Sequence, residues 1–265
     1  MLKNLSNFLI LVSLLTIFMY ANAVQADMVT DGLVSYWSLD KNTIKGDTVS
    51  DIWGENDGTL TGNPKEIGGK IGEALEFDGE NSVDIVGTKS LNFNGQESLT
   101  VTAWVNAGAK EPVIGVVAGC CGTIVAQRDA NGWALRYDGR NPGQEMEFIV
   151  CPNWQGDAGF GAKAFKEGEW HYLTGVVDER NLLLYLDGEF VQETAFSGPI
   201  TSNGPETEIG HAGDGGFIGI IDEVGIYNKA LSENEVKQNY QSKTFAAVNP
   251  NKKLAICWGK VKSSR

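Results

Sequence analysis

The feature that most constrains this chain is a series of short strand-like segments, each closed by Gly, Asn or Asp. The segments alternate apolar with small or polar side chains and are rich in β-branched and aromatic residues, which is typical of half-buried strands. The clearest pair is Leu182–Leu186 and Glu189–Gln192, joined by Asp187-Gly188. Asp-Gly favours a type I′ hairpin turn, because both of its central residues need positive φ. The pattern predicts an all-β fold, in which the 33 glycines of the chain belong mainly to turns.

The predicted strands are Leu33–Leu39, Ala74–Phe77, Leu99–Val105, Thr123–Gln127, Trp133–Tyr137, Met146–Val150, Trp170–Val177, Leu182–Leu186, Glu189–Gln192 and Phe217–Tyr227. One helix is predicted as well, since Ser232 and Glu235 have the spacing of a capping box, and it should run to about Tyr240. The side chains predicted to fill the core are Phe77, Trp104, Leu186 and Ile221.

Residues 1–26 have the composition of a secretory signal peptide. Lys3 lies in a short polar start, an apolar run extends over Phe8–Tyr20, and small residues follow. Cleavage is expected after Ala26, with Ala23 as the alternative. A retained membrane anchor is the other interpretation, but the apolar run of about 13 residues is shorter than the ~20 that a spanning helix needs. We therefore expect the mature chain to be secreted, periplasmic or on the cell surface, with no membrane span.

The cysteines lie in the part of the chain that would be exported, where thiols can oxidise. They are Cys120, Cys121, Cys151 and Cys257. Four cysteines allow three pairings, and a bond between the neighbours Cys120 and Cys121 needs a strained ring. Cys151 is therefore expected to form a disulfide with one of those two. A zinc site is disfavoured, because paired Cys-x₂-Cys spacings are absent and the chain has only two histidines.

The charge of the chain argues against nucleic-acid binding. The 34 acidic and 21 basic residues give a net charge of −13, which becomes −14 when Lys3 leaves with the signal peptide. A sequence pI near 4.6 opposes electrostatic attraction to phosphates. The acidity suits a protein that tolerates divalent cations.

The chain is predicted to divide into three parts. We predict a signal peptide at 1–26, one domain at 27–241, and a linker with a basic tail at 242–265.

Seven segments, in order, resemble the LamG-like jelly-roll domains of the concanavalin A-like lectin/glucanase fold. They are Gly32–Asp40, Asn56–Leu60, Gly72–Gly79, Leu99–Val105, Glu169–Tyr172, Leu184–Gly188 and Gly219–Ser232. The resemblance extends over nearly all of residues 30–240. It implies a two-sheet antiparallel β-sandwich, with loops at its rim and one short helix late in the chain. The chain departs from the pattern at Gly225, where such domains often have Arg.

The glucanases of this fold carry a Glu-x-Asp-x-Glu constellation, which supplies two carboxyl groups about 5–5.5 Å apart for retaining hydrolysis. This chain has no such triplet. Asp222 and Glu223 are adjacent and should point to opposite faces of a strand, while Glu206 and Glu208 lie at the edge of a loop. We therefore expect no enzymatic activity. The alternative is a degenerate or cryptic glycoside hydrolase, whose catalytic pair is brought together only by folding.

The resemblance also implies a structural Ca²⁺ site. Members of this fold often hold the ion with a carboxylate of the last strand and groups of an early loop. Asp222 matches the last-strand position, Asp78 and the carbonyl of Gly79 match the early loop, and Asp40 and Asn81 are candidate additional ligands. Ca²⁺ needs six to eight such oxygens. The alternative is that Asp78 makes only a turn and Asp222 accepts only backbone hydrogen bonds.

Ligand binding in such modules depends on rim loops and on residues of one sheet face. Trp154 is the tryptophan with the most polar, glycine-rich neighbours, and its ring could stack on a sugar. Asn153, Gln155 and Asp157 could then bond hydroxyl groups. The alternative is that Trp154 covers the edge of the sandwich. The sequence thus predicts a secreted, non-enzymatic recognition or adhesion module for carbohydrate or a glycosylated surface, with a structural module that binds a protein partner as another interpretation.

Overall fold

The structure is a computed structural model that describes residues 27–108, 121–139, 145–157, 160–162, 166, 168–213 and 215–242. The predicted signal peptide, Cys120, Cys257 and the basic tail lie outside these residues. In chain order the strands are β1 (Leu33–Trp37), β2 (Ile44–Lys45), β3 (Thr48–Val49), β4 (Gly58–Thr61), β5 (Lys65–Gly68), β6 (Glu73–Asp78), β7 (Ser82–Ile85), β8 (Ser98–Ala107), β9 (Gly122–Arg128), β10 (Gly132–Asp138), β11 (Glu145–Val150), β12 (Gly161–Ala162), β13 (Trp170–Asp178), β14 (Asn181–Leu186), β15 (Glu189–Ala195), β16 (Thr207–Ile209), β17 (His211–Ala212), β18 (Gly215–Gly216) and β19 (Ile218–Tyr227). Two short 3₁₀ helices, at Lys41–Thr43 and Lys89–Leu91, and the α-helix α1 (Glu233–Gln241) complete the described elements.

The strands form two sheets that pack face to face, as the all-β prediction and the resemblance implied. Sheet 1 has the order β15-β14-β13-β8-β19-β6-β5, with β1 also paired to β19. Sheet 2 has the order β12-β11-β10-β9-β16-β7-β4-β3-β2, with β17 and β18 beside β9. The pairing is antiparallel except at one short contact of β18 with β9. This is the β-sandwich architecture.

The core lies between the two sheets and is filled from both. Phe77 and Ile221 of sheet 1 belong to the same buried cluster as Trp133 and Phe148 of sheet 2, and Leu186 packs against it, partly buried. Fully burying each such side chain contributes on the order of 1.5–3 kcal/mol. The core assignments of Phe77, Ile221 and Leu186 are confirmed.

Trp104 is buried, but not in the core between the sheets. Its ring lies 5.1 Å from that of Tyr172 and 5.5 Å from that of Tyr240 in α1. Trp104 is therefore buried as predicted, but it faces away from sheet 2 and lies under the helix. Period-2 alternation could not decide this, because the outer face of β8 is as buried as the inner face.

The helix and the hairpin form as their sequences predict. The Ser232 side chain accepts from the Glu235 backbone, and the Glu235 side chain reaches back to the N-cap, so the capping box is complete. Asp187 and Gly188 have φ values of 53° and 79°, which is the positive-φ pair that a type I′ turn requires. Within the described residues the α-helix lies on sheet 1, and none covers the outer face of sheet 2.

The predicted disulfide of Cys151 is wrong. Cys151 is buried at the end of β11, and its thiol is free. The residues that the sequence offered as its partners were Cys120, which lies outside the described residues, and Cys121, which is buried beside β9.

None of the described helices is long and apolar enough to span a membrane.

Candidate functional site

A row of six side chains crosses the outer face of sheet 2, perpendicular to its strands. Neighbouring residues along each strand face the core, so the row residues point outward. Each row residue lies directly opposite the next in the register of the sheet, and such Cβ atoms are about 4.5–5.5 Å apart. In order across the sheet the row consists of Ile149, Ala134, Ala126, Glu208, Asp84 and Thr59. One half of the row is small and apolar, and the other half is acidic and polar.

The ring of Trp154 packs over the apolar half of the row. Ala126, Ala134 and Ile149 form a small buried cluster with Ala212, and the half-buried Trp154 contacts this cluster. Small side chains in adjacent strands leave room for a bulky aromatic side chain beside them. Trp154, which the sequence singles out as a candidate for stacking on a sugar, is thus half-buried against this cluster.

Gln155 fixes the loop that carries the tryptophan. Its backbone pairs with that of Val150 in both directions, with N···O distances of 2.8 and 2.9 Å. The side-chain Oε1 accepts from the Ser197 backbone N–H at 2.8 Å, and Nε2 donates to the Pro152 and Ser197 carbonyls. We assign Gln155 a positioning role, because these contacts occupy both ends of its amide. Asn153, at φ 65°, is exposed beside it.

The acidic half of the row opens into a cavity of about 510 Å³, named here the acidic cavity. Its charged lining residues, within the described part of the chain, are all acids: Asp84, Asp129, Glu206 and Glu208. Amide groups in the lining come from Gln127, Asn131 and Asn203. Val86, which is 78% exposed, and Pro205 add an apolar patch. The lining therefore combines many hydrogen-bond acceptors with apolar surface.

The two central carboxylates of the cavity differ in their surroundings. Asp84 accepts hydrogen bonds from the hydroxyls of Thr61 and Ser82. Burial, followed by the nearby charges of Asp84 and Glu206, raises the pKa of Glu208 to about 7. Near neutral pH, Glu208 can therefore either donate or accept a hydrogen bond.

A buried ion-pair cluster lies beside the apolar half, where Arg136 of β10 meets Glu147 of β11. The guanidinium donates to Glu147 Oε2 from Nε at 3.1 Å and from Nη2 at 2.9 Å. Nη2 also reaches Asp157 Oδ1 at 2.6 Å, and Asp157 belongs to the loop after Trp154. Ligand oxygens of Asp138, Glu147 and Asp157 lie within 4.8 Å of one another, a spacing that could hold a metal. In this structure, however, the guanidinium hydrogen-bonds Glu147 and Asp157 and also forms an ion pair with Asp138 at 3.9 Å. It therefore ties the loop to the sheet.

The Ca²⁺ ligands predicted from the resemblance do not lie together. Asp78 pairs with Ile218 of β19, and Asp222 is four residues further along that strand, which corresponds to about 13 Å. A single ion with oxygen ligands at 2.3–2.6 Å cannot bridge that separation. Asp78 Oδ1 instead accepts from the Glu80 backbone at 3.0 Å, and Asn81 accepts from the Asp78 backbone. The prediction of one site formed by Asp78, Gly79 and Asp222 is therefore corrected, and Asp78 makes a turn.

Asp222 is fully buried, and its two oxygens have different surroundings. Oδ2 accepts from the backbone N–H groups of Lys70 and Ile71 at 2.9 and 3.1 Å. Oδ1 has no partner among the described residues. Burial raises the pKa of Asp222 to about 8, with the nearby charge of Asp40 as a smaller cause. Asp40, one of the two additional ligands predicted, is thus the acidic neighbour that the fold brings to Asp222.

Most residues of the acidic cavity were not predicted from the sequence. Asp84 and Glu208 each lie between two buried residues of a short strand, and that alternation could have placed them on an outer face. It could not have shown that they face each other, because their strands are far apart in the chain. The remaining polar lining residues lie in bends between strands, and no sequence motif links them: Asp129, Asn131 and Asn203.

Comparisons with known proteins agree with this architecture. A family model described as "Concanavalin A-like lectin/glucanases superfamily", named Laminin_G_3, matches residues 77–237. No curated protein matches the chain.

Several solved structures share the fold at low sequence identity. Domain 4 of AbnA, a GH43 extracellular arabinanase from Geobacillus stearothermophilus solved in complex with arabinotriose, is 20% identical with a TM-score of 0.59; the match covers 82% of this chain and 99% of that one. The binding domain of Paraclostridial Mosquitocidal Protein 1 is 16% identical with a TM-score of 0.56, and the match covers 79% of this chain and 52% of that one. A Trypanosoma rangeli sialidase in complex with the inhibitor DANA is 14% identical with a TM-score of 0.57, over 83% of this chain and 36% of that one.

Proposed function

The chain belongs to the concanavalin A-like lectin/glucanases superfamily, and from that premise we propose that it is a secreted, non-enzymatic module that binds carbohydrate on the outer face of sheet 2. The observation that carries the proposal is the row in which a tryptophan-covered apolar half continues into an acidic cavity. A glycosylated surface is the proposed physiological partner.

The two halves of the row suit the two chemical sides of a sugar. A pyranose or furanose ring has an apolar C–H face, which can lie against the half-buried ring of Trp154. Its hydroxyl groups can donate to Asp84 and exchange hydrogen bonds with Glu208. Binding sites for small ligands commonly combine an apolar surface with a few polar groups in this way.

Arabinan oligosaccharides are the first ligands to test. The AbnA domain was solved in complex with arabinotriose, and this chain shares its fold over nearly all of that domain. At 20% identity the likeness concerns the fold, so the choice of ligand is part of the proposal. A panel of other plant and bacterial polysaccharides should accompany arabinotriose.

The experiment is calorimetric titration of each oligosaccharide, with Trp154→Ala as the central variant. An aromatic residue at the centre of a binding surface typically contributes about 2 kcal/mol or more, which corresponds to a roughly thirtyfold weaker Kd. Phe190→Ala is the matched control, because Phe190 is 46% exposed on sheet 1, away from this face. A Trp154→Ala protein that binds like the wild type would refute the proposed surface.

Glycoside hydrolysis is a second candidate function, favoured by one specific observation. Asp84 and Glu208 are directly opposite on neighbouring strands, and the pKa of Glu208 is raised to about 7 while Asp84 is bonded by two hydroxyls. A carboxyl group with a raised pKa beside a second carboxyl group is the arrangement that an acid and nucleophile pair needs. Release of reducing ends from the panel, lost in Glu208→Gln, would establish hydrolysis and refute the non-enzymatic proposal. If the protein neither binds nor cleaves any polysaccharide of the panel, the result favours a structural, protein-binding module.

A structural Ca²⁺ site remains part of the proposal in a revised form. The buried, unpartnered Oδ1 of Asp222 and the nearby Asp40 are the groups that fit such an ion. If they bind Ca²⁺, adding it should raise the Tm of the wild type and of Asp78→Asn, but not of Asp222→Asn. A Tm that Ca²⁺ and a chelator leave unchanged in all three proteins would refute the site.

A further inference from the structure

The acidic cavity and the basic tail carry opposite charge within one chain. Residues 252–265 contain five basic residues and no acidic one, whereas the charged residues in the described lining of the cavity are all acids. We propose that the basic tail docks in the acidic cavity of its own chain. The proposal concerns the tail as the occupant of the cavity and does not depend on carbohydrate binding.

The described residues give the cavity no positive partner of its own. Within the described residues, no Lys or Arg forms an ion pair with Asp84, Asp129, Glu206 or Glu208. Asp84 and Glu208 also lie directly opposite one another, and like charges in that position are destabilising. A lysine ammonium between them would offset this repulsion, since it donates three hydrogen bonds and brings one positive charge.

The apolar parts of the two surfaces match as well. The tail has an apolar stretch at Leu254–Trp258, between the lysine pairs Lys252-Lys253 and Lys260/Lys262. The cavity has an apolar patch at its highly exposed Val86 and at Pro205. A segment with lysines on both sides of an apolar stretch can therefore contact the carboxylates and this patch together.

The length of the chain allows this docking. A domain of this size has a radius of gyration of about 17 Å. The structure describes the chain up to Ser242, and an extended chain spans up to ~3.5 Å per residue. Lys252 can thus reach up to about 35 Å from Ser242, and Lys262 up to about 70 Å. Attachment to the same chain gives the tail an effective concentration of about 1 mM.

Tryptic cleavage of the full chain after Lys252, Lys253, Lys260 and Lys262, followed by mass spectrometry, tests the docking. A docked tail should be cut about tenfold more slowly than an undocked one, the factor expected when the effective concentration exceeds Kd by about ten. The triple variant Asp129→Asn/Glu206→Gln/Glu208→Gln should lose this protection. Raising the salt from roughly 0.05 M to roughly 1 M should also remove it in the wild type, because the Debye length falls to about 3 Å.

A matched control removes the same number of charges elsewhere. Glu97→Gln/Asp178→Asn/Glu193→Gln changes three exposed acids away from the cavity, and it should keep the protection. Equal cleavage rates in the wild type and the cavity variant, or equal loss of protection in the control variant, would overturn the proposal.

A direct binding measurement covers the case in which the cavity variant is unstable. A labelled peptide of residues 243–265, with Cys257→Ser, is titrated into the full chain carrying Lys→Gln changes at the four tail lysines. Saturable binding that weakens at least about tenfold in the single variant Glu208→Gln supports the proposal. This variant should fold, because it only removes a charge from a group of neighbouring acids. No binding, or binding equal in Glu208→Gln and Glu193→Gln, would overturn it.

Discussion

Removing the buried guanidinium of Arg136 should destabilise the protein in a manner that depends on pH. Arg136 is 2% exposed and donates twice to Glu147, which is fully buried. Burial raises the pKa of Glu147 to about 7, even though Arg136 lowers it. Removing one partner of a buried ion pair costs about 3–5 kcal/mol, because the other charge is left without compensation. We expect Arg136→Met to lose about 3 kcal/mol near pH 7.

The sign of the pH dependence follows from Glu147. Its folded pKa lies above the unfolded value, so the folded state holds the proton more tightly, and stability falls as pH rises between the two values. In the wild type this window ends near pH 7. Without Arg136 the folded pKa is higher still, so the variant continues to lose stability above pH 7, by up to about 1.4 kcal/mol per pH unit.

Urea denaturation followed by tryptophan fluorescence, near pH 7 and near pH 8, measures both effects. The double variant Arg136→Met/Glu147→Met should recover most of the loss, because replacing both members of a buried pair with apolar residues is often neutral. Lys65→Met is the control: Lys65 pairs with Glu76 at 3.2 Å on the surface, so it should change stability by less than about 1 kcal/mol. An Arg136→Met protein within about 1 kcal/mol of the wild type at both pH values would refute the reasoning.

Three further predictions test the packing, the helix and Asp222. A Cβ at Gly175 would clash with the Phe148 ring of the facing sheet, whereas a Cβ at Gly68 would contact nothing. Gly175→Ala should therefore lose about 1–3 kcal/mol of unfolding free energy and Gly68→Ala none, and equal unfolding curves would contradict this. Ser232→Ala removes the helix cap and should cost about 1 kcal/mol, with Ser232→Asn largely retaining it; a Tm as high as that of the wild type would contradict the cap. With a chelator present, wild-type stability should fall as pH rises from about 4 to about 8, because folded Asp222 retains its proton. Asp222→Asn should reduce that slope, and an unchanged slope would argue against it.

The elements that the sequence predicted well are those with local causes. The Asp187-Gly188 turn and the capping box depend on residues within four positions of one another, and both form as expected. The longer strands also follow their local alternation. The strands that were missed, such as β2, β3 and β17, have two residues each, which is too few for any alternation to be recognised.

The errors concern the partner of a residue rather than its type. Cys151 was paired with its nearest cysteines in the sequence, yet its thiol is free. Asp78 and Asp222 were joined in one Ca²⁺ site because each matches a motif of the resemblance, but the register separates them along β19. Trp104 is buried as predicted, but its ring packs beside Tyr240 of α1 rather than against sheet 2.

The sequence by itself determined the fold class, the hairpin, the helix start and the face on which many side chains lie, because all of these depend on short-range alternation and turn chemistry. Only the tertiary structure decided which side chains form the candidate site. Asp84 and Glu208 are 124 residues apart in the chain but directly opposite in sheet 2. Alternation with a period of two sets the face of a residue, whereas burial of the whole core face selects the neighbouring strand and its register. The row from Trp154 to the acidic cavity is therefore a property of the folded sheet.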